Sequence, residues 1–327
     1  MTEDEIYGVS RYLTNLFSFI ILFGGLIGHV IDILVFTSSR RFRNRPSAFF
    51  LTIESIVNSV QLIISFSSRI AISGFDDDLT QTSIVWCKLR SAIATSCTLI
   101  SFTIACFAAI NQYLATSYQS YLKTLSTLNL AHYLTGMATI IWSLHGILFL
   151  IFMDNKSTVK CVIISDGFLV YITYVYYLIW TGFLPIIIMS VFAVLASFNI
   201  RAIVRSHIPI FRRRIDQQLT SMIIARVAFS VIITLPYVLF RVYSLQSHMW
   251  RKGSVSPAIA DLIGTIAFAL FYLNFSGSFY LFLMSSTRFR RQVRYVLVKK
   301  YWRMLCNKTA HVNRISPISH ISSVELD

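Results

Sequence analysis

Few of the residues that mark a linker or a catalytic cluster occur in this sequence. Proline (6) and glycine (12) are sparse among 327 residues. No Pro/Gly-rich linker and no low-complexity block is present, which argues against a tethered second domain and leaves one bundle. The halves do not repeat one another as they do in many transporters. His29, His132, His145, His207 and His248 are spread across depths and sides, so no convergent His–Asp or Ser–His set points to a membrane enzyme. No cofactor and no metal site is expected.

Charge is also scarce, at 13% of residues, against 55% hydrophobic. A soluble domain could not hide that much apolar surface around one core. It is gathered into seven stretches, at about Asn15–Phe36, Ser47–Ile70, Leu89–Ala115, Leu130–Phe152, Tyr171–Ser197, Leu219–Tyr243 and Ala258–Met284. Each is close to the roughly 20 residues that a helix needs to cross the hydrocarbon core. The expected fold is therefore an all-α membrane protein, a seven-transmembrane helix bundle. An odd number of crossings puts the termini on opposite sides.

The net charge of +15 would suit a nucleic-acid binder, but its placement argues for topology. Bases sit in alternate connections: Arg40, Arg41, Arg43 and Arg45 after the first stretch; Arg201, Arg205, Arg212, Arg213 and Arg214 after the fifth; and Arg288 through Arg303 after the seventh. Only Lys123 marks the connection after the third. By the positive-inside rule these connections are cytoplasmic, and they face an acidic leaflet rather than a nucleic acid. The acids Glu3, Asp4 and Glu5 and the loop Asp76–Asp78 then fall outside. The first apolar stretch is too long for a cleaved signal peptide and reads as a retained anchor.

The layout expected is an extracellular tail over 1–14, a seven-transmembrane domain over 15–286, an amphipathic cytoplasmic helix over 287–304 and a disordered tail over 305–327. In the helix, Phe289, Val293, Val296 and Leu297 recur at helical spacing among Arg290, Arg291, Arg294, Lys299 and Lys300, a pattern that lies in the bilayer interface. Of two glycosylation sequons, only Asn155-Lys156-Ser157 lies outside; Asn307-Lys308-Thr309 is cytoplasmic.

Five cysteines are present. Cys97 and Cys106 fall inside the third stretch, where a small core role is the default. Cys87 and Cys161 both face the oxidising side, so a disulfide between them is the natural pairing. Cys306 beyond the amphipathic helix is either a palmitoylation site or an ordinary thiol. Ionisable residues inside the membrane are functional candidates because burying them is expensive. His29 and Asp32 share a face of the first stretch and read as a hydrogen-bonded pair, with a metal or proton site as the alternative. Glu54 and Asn58 lie one turn apart in the second, with Glu54 within reach of the first. Arg226 in the sixth is expected to snorkel.

With these residues in place, the chain resembles the rhodopsin-like (class A) G-protein-coupled receptors over about Leu13 to Tyr301. The resemblance rests on Cys87 opening the third stretch and Asn111-Gln112-Tyr113 closing it, where the family carries Asp-Arg-Tyr. It continues through Trp142, Cys161, Pro185 and Pro236 to Ser278-Phe279-Tyr280-Leu281-Phe282, a degraded Asn-Pro-x-x-Tyr, and Arg288-Phe289-Arg290. Pro185 and Pro236 each remove a backbone hydrogen bond and are expected to kink their helices. The departures are Gln112 in place of the family arginine, Thr234 in place of the usual Trp, His29 in place of Asn and Asn58 in place of Asp. Asn274 lies a turn before the missing Asn-Pro pair. Asp216 matches the family's acidic partner, with Arg213 or Arg214 as its nearest cation.

The resemblance implies a plasma-membrane receptor with its N-terminus extracellular and its C-terminus cytoplasmic. It would bind an extracellular ligand and signal to a heterotrimeric G protein through Asn111, Gln112, Tyr113, Arg212–Arg214 and Asp216. Arg69, Ala94 and Arg241 fall at pocket-lining positions. Ala94 stands where amine receptors carry Asp, so a small cationic amine does not fit. Arg69 and Arg241 either grip an anion such as a carboxylate, phosphate or sulfate, or a peptide terminus, or pair with Asp76–Asp78, Asp261 or lipid headgroups. A heptahelical protein without conventional G-protein coupling and a small-solute transporter remain alternatives.

Overall fold

The computed structural model describes residues 3–75, 83–154, 161–163, 165–205, 210–250 and 257–302. Among them are seven helices long and apolar enough to cross a membrane: Thr14–Ser38, Pro46–Ile72, Ile84–Thr116, Leu128–Phe152, Asp166–Ala202, Gln217–Gln246 and Ile259–Ser276, here spans one to seven. The chain is an all-α, seven-helix bundle and a multi-pass membrane protein. In lipid each span must satisfy its own backbone, which helices do. Large apolar side chains such as Ile20, Ile27, Ile140, Leu144, Phe198 and Ile232 are exposed on its outside, as a hydrocarbon solvent permits and water does not.

Local chemistry sets the helix starts. Ser83, Thr127 and Ser165 cap spans three, four and five, accepting from the backbone N–H of Trp86, Leu130 and Phe168. Pro46 opens span two at a position where its missing N–H costs nothing. Span one is the C-terminal part of a helix that starts at Glu3, so the segment that precedes it is helical as well.

Span three is the central element. It packs against spans two, four, five and six, and 61% of its apolar window is buried against 22% for span four. Spans one and seven touch closely because Gly25 and Gly28 present no side chain; a Cβ at Gly25 would lie 2.5 Å from Ser276 Cβ.

Three irregularities break the regular spans. In span five, Tyr171–Phe183 winds as π-helix, and Leu184 N–H reaches back to the Ile179 carbonyl. The cause is Pro185, which has no N–H for Thr181 and crowds that carbonyl, so the preceding turns widen. Pro236 produces no such break, since one helix runs through it from Ile210 to Trp250. In span two, Leu62–Phe66 forms wide turns with no proline to mark them. Span seven was expected to run to Met284, but it is interrupted at Gly277 and resumes over Ser278–Ser285.

Beyond span seven, Thr287–Arg294 is helical and continues as wide turns over Tyr295–Trp302. Phe289, Val293 and Val296 are buried in a cluster with Val35, Phe36, Phe42 and Phe282, while Arg290, Arg291 and Arg294 are exposed. Leu297 is exposed on the outside of the bundle. The residues from 303 onward, with Cys306 and Asn307, lie outside the described residues, as do Asp76–Asp78 and Asn155.

Candidate functional site

A cavity opens at the end of the bundle where Cys87 and Cys161 are joined. Their disulfide is formed, with Cα atoms 5.8 Å apart. It ties span three to the short antiparallel pair Met153–Asp154 with Val162–Ile163, which borders the cavity. The cavity holds about 330 Å³ and draws walls from spans two, three, four, five, six and seven, at the small end of ligand sites.

Three arginines line it. Arg69 comes from span two, beyond the wide turns, and stacks its guanidinium 4.0 Å from the centroid of Phe268. Arg241, from span six, donates to the Tyr177 hydroxyl at 2.9 Å and lies over the Tyr177 ring. It also lies 5.6 Å from the same Phe268 centroid, so one aromatic ring carries both cations. The third, Arg90, was not anticipated. Its signal in the sequence is the spacing Arg90, Ala94, Thr98, one face of span three, and all of these residues line the cavity. No Asp or Glu lines it among the described residues. Nε of Arg90 and of Arg241 is buried without a hydrogen-bond partner. The expected pairing of Arg69 or Arg241 with Asp261 is not formed; the remaining wall is aromatic, with Tyr237 stacked on Phe271 at 3.9 Å.

A second polar group occupies the bundle interior and corrects two expectations. Arg226 does not snorkel. It is 3% exposed and pairs with Glu54 of span two at 2.7 Å. It also donates to Asn274 Oδ1 of span seven at 2.7 Å and to Ser230 Oγ at 2.5 Å. Glu54 therefore bonds to span six rather than to span one, because a buried carboxylate and a buried guanidinium are each too costly alone. His29 and Asp32 are not bonded to each other. His29 Nε2 meets the Phe275 carbonyl at 2.8 Å and Asp32 accepts from Ser278 Oγ at 3.4 Å. Asn58 accepts from Ser101 Oγ at 2.6 Å.

At the end opposite the disulfide, neutral hydrogen bonds gather spans two, three and six. Gln112, 1% exposed, accepts from Ser47 Oγ at 2.9 Å and donates to Thr220 Oγ1 at 2.7 Å. Asn111 donates to Ser47 Oγ at 2.7 Å and accepts from Ser126 Oγ at 2.9 Å. A second cavity of about 330 Å³ lies beside them, lined by Arg45, Lys123 and Leu219 among others. Tyr113 packs on Phe192. Arg212, Arg213, Arg214 and Asp216 lie on the helix that begins at Ile210, but their side chains are outside the described residues. Trp142 bonds through Nε1 to Thr103 Oγ1 at 2.8 Å and packs edge-on to Trp180, fixing span four on span three. The Pro185 carbonyl faces Cys106 Sγ.

No protein-family model matches this chain, and no curated protein matches its sequence.

Proposed function

We propose that this chain is a plasma-membrane receptor of the rhodopsin-like (class A) kind, with its N-terminus extracellular and its C-terminus cytoplasmic. An extracellular anion binds in the cavity at the disulfide end, and the signal passes to a heterotrimeric G protein at the opposite end. The observation that carries this reading is the cavity itself: three arginines without a carboxylate among its described lining, on a bundle whose third span is the buried centre. A charge left unpaired in a low-dielectric wall is costly, so a cavity of this kind favours an anionic occupant. Ala94 on its wall leaves a cationic amine without a counter-ion.

The test is a screen of acids and peptides on cells expressing the receptor, read across several G-protein classes. Losing one buried charge-assisted contact costs about 2–5 kcal/mol. Arg241→Ala is therefore expected to weaken an activating anion by about tenfold or more at equal surface level, since about 1.4 kcal/mol is a factor of ten. Unchanged potency, or activation by a purely cationic agonist, refutes the reading.

A second reading, a heptahelical protein without conventional G-protein coupling, is favoured by Gln112. Its bonds to Ser47 and Thr220 are neutral and contribute roughly 0.5–1.5 kcal/mol each, against about 1.5–3 for bonds to a charge. Gln112→Arg breaks them and adds a cation near the foot of span six. It is expected to change basal or agonist-driven signalling at matched surface level. If both stay unchanged and Asp216→Ala is silent as well, the second reading is the better one.

A further inference from the structure

The cavity carries more positive charge than a single carboxylate can neutralise. Arg69, Arg90 and Arg241 each carry a guanidinium, and Arg69 and Arg241 share the face of one ring, Phe268. Arg241 is held in place by its hydrogen bond and stacking on Tyr177. Arg69 stacks on Phe268 and makes no side-chain hydrogen bond among the described residues. Arg90 reaches the cavity from span three, a different wall from the Phe268 ring that carries Arg69 and Arg241, with its buried Nε unpartnered among the described residues.

One carboxylate accepts two parallel bonds from one guanidinium, so a monoanion leaves two of the three cations uncompensated. We infer that the cavity is a site for a small dianion, one negative group held by Arg69 and Arg241 and the second by Arg90. The inference rests on the anion-receptor reading above and sharpens it to a ligand class: a compact molecule with two negative charges, either a dicarboxylate or a phosphate monoester, its apolar body against Phe268 and Phe271. The cavity volume of about 330 Å³ suits a body the size of a single ring.

The test uses full-length receptor in nanodiscs of neutral lipid at pH 8, with direct binding of benzoate, isophthalate, phenyl phosphate and phenyl sulfate. The first and last carry one charge, the middle two carry two. At least one dianion is expected to bind about tenfold or more tighter than the monoanion of the same body, a difference of about 1.4 kcal/mol. Isophthalate against benzoate reports a dicarboxylate site; phenyl phosphate against phenyl sulfate reports a phosphate site. In Arg90→Gln the preference is expected to fall below about threefold, the dianion losing at least about threefold more affinity than benzoate does. Arg90→Lys, which restores the charge, is expected to keep most of the preference. Equal binding of monoanions and dianions, or a preference that persists in Arg90→Gln, overturns the dianion site. If the monoanions still bind and Arg241→Ala abolishes it, the anion-receptor reading survives that result. A folded receptor that binds none of the four overturns both.

Discussion

A Glu54→Ala variant is expected to lose about 3–5 kcal/mol of bundle stability, because the mutation leaves the Arg226 guanidinium buried without its counter-charge. Arg226 is 3% exposed. Asn274 and Ser230 solvate it partly through two hydrogen bonds, which is why the loss stays at the scale of a broken pair rather than of a bare ion. Thermal inactivation of the purified protein measures this. The double variant Glu54→Leu/Arg226→Leu is expected to recover most of the loss, since replacing a buried pair with apolar residues is often neutral or better. A single variant as stable as the parent would mean that the pair carries no stability. The same pair joins span two to span six, and Asn274 brings in span seven, so weakening it loosens the contact among these three spans.

Removing the Cys87–Cys161 bridge is the second large perturbation. The bond closes a segment of 74 residues, and chain entropy for such a loop gives an upper limit of about 4 kcal/mol. In a bilayer the separated helices remain helical, so the realised loss falls below that limit. The consequence for the site is more direct. Without the bridge, the pair Met153–Asp154 with Val162–Ile163 is no longer tied to span three, and the border of the cavity comes loose. Cys161→Ala is expected to lose most of its surface level and most of its ligand response, measured by surface labelling and by agonist titration. Full surface level with an unchanged response would contradict the role given to the bridge.

The seven spans are legible in the sequence because the bilayer imposes their length and composition. The disulfide is legible because topology leaves two cysteines on one side. The partner of Arg226 is not legible: Glu54 lies 172 residues away, and no local period links them. Arg226 alone therefore reads as a snorkelling side chain. Arg90 hides for a different reason. It stands one turn beyond Cys87, where a cation reads as the polar flank of a span, and only the face it shares with Ala94 and Thr98 turns it inward. Span seven reads as continuous because its apolar run does not stop at Gly277. The wide turns before Pro185 follow from the proline once it is placed mid-helix, whereas those over Leu62–Phe66 have no residue that announces them.

In the proposed function, an anion in the cavity at the disulfide end drives the opposite end of the bundle. Purified receptor in nanodiscs, mixed with heterotrimeric G protein and an activating acid from the screen, tests it by the rate of nucleotide exchange. Acceleration is expected to saturate with the acid and to shift to about tenfold higher concentration or beyond in Arg241→Ala. Exchange that the acid does not accelerate, or an identical titration in Arg241→Ala, would contradict it.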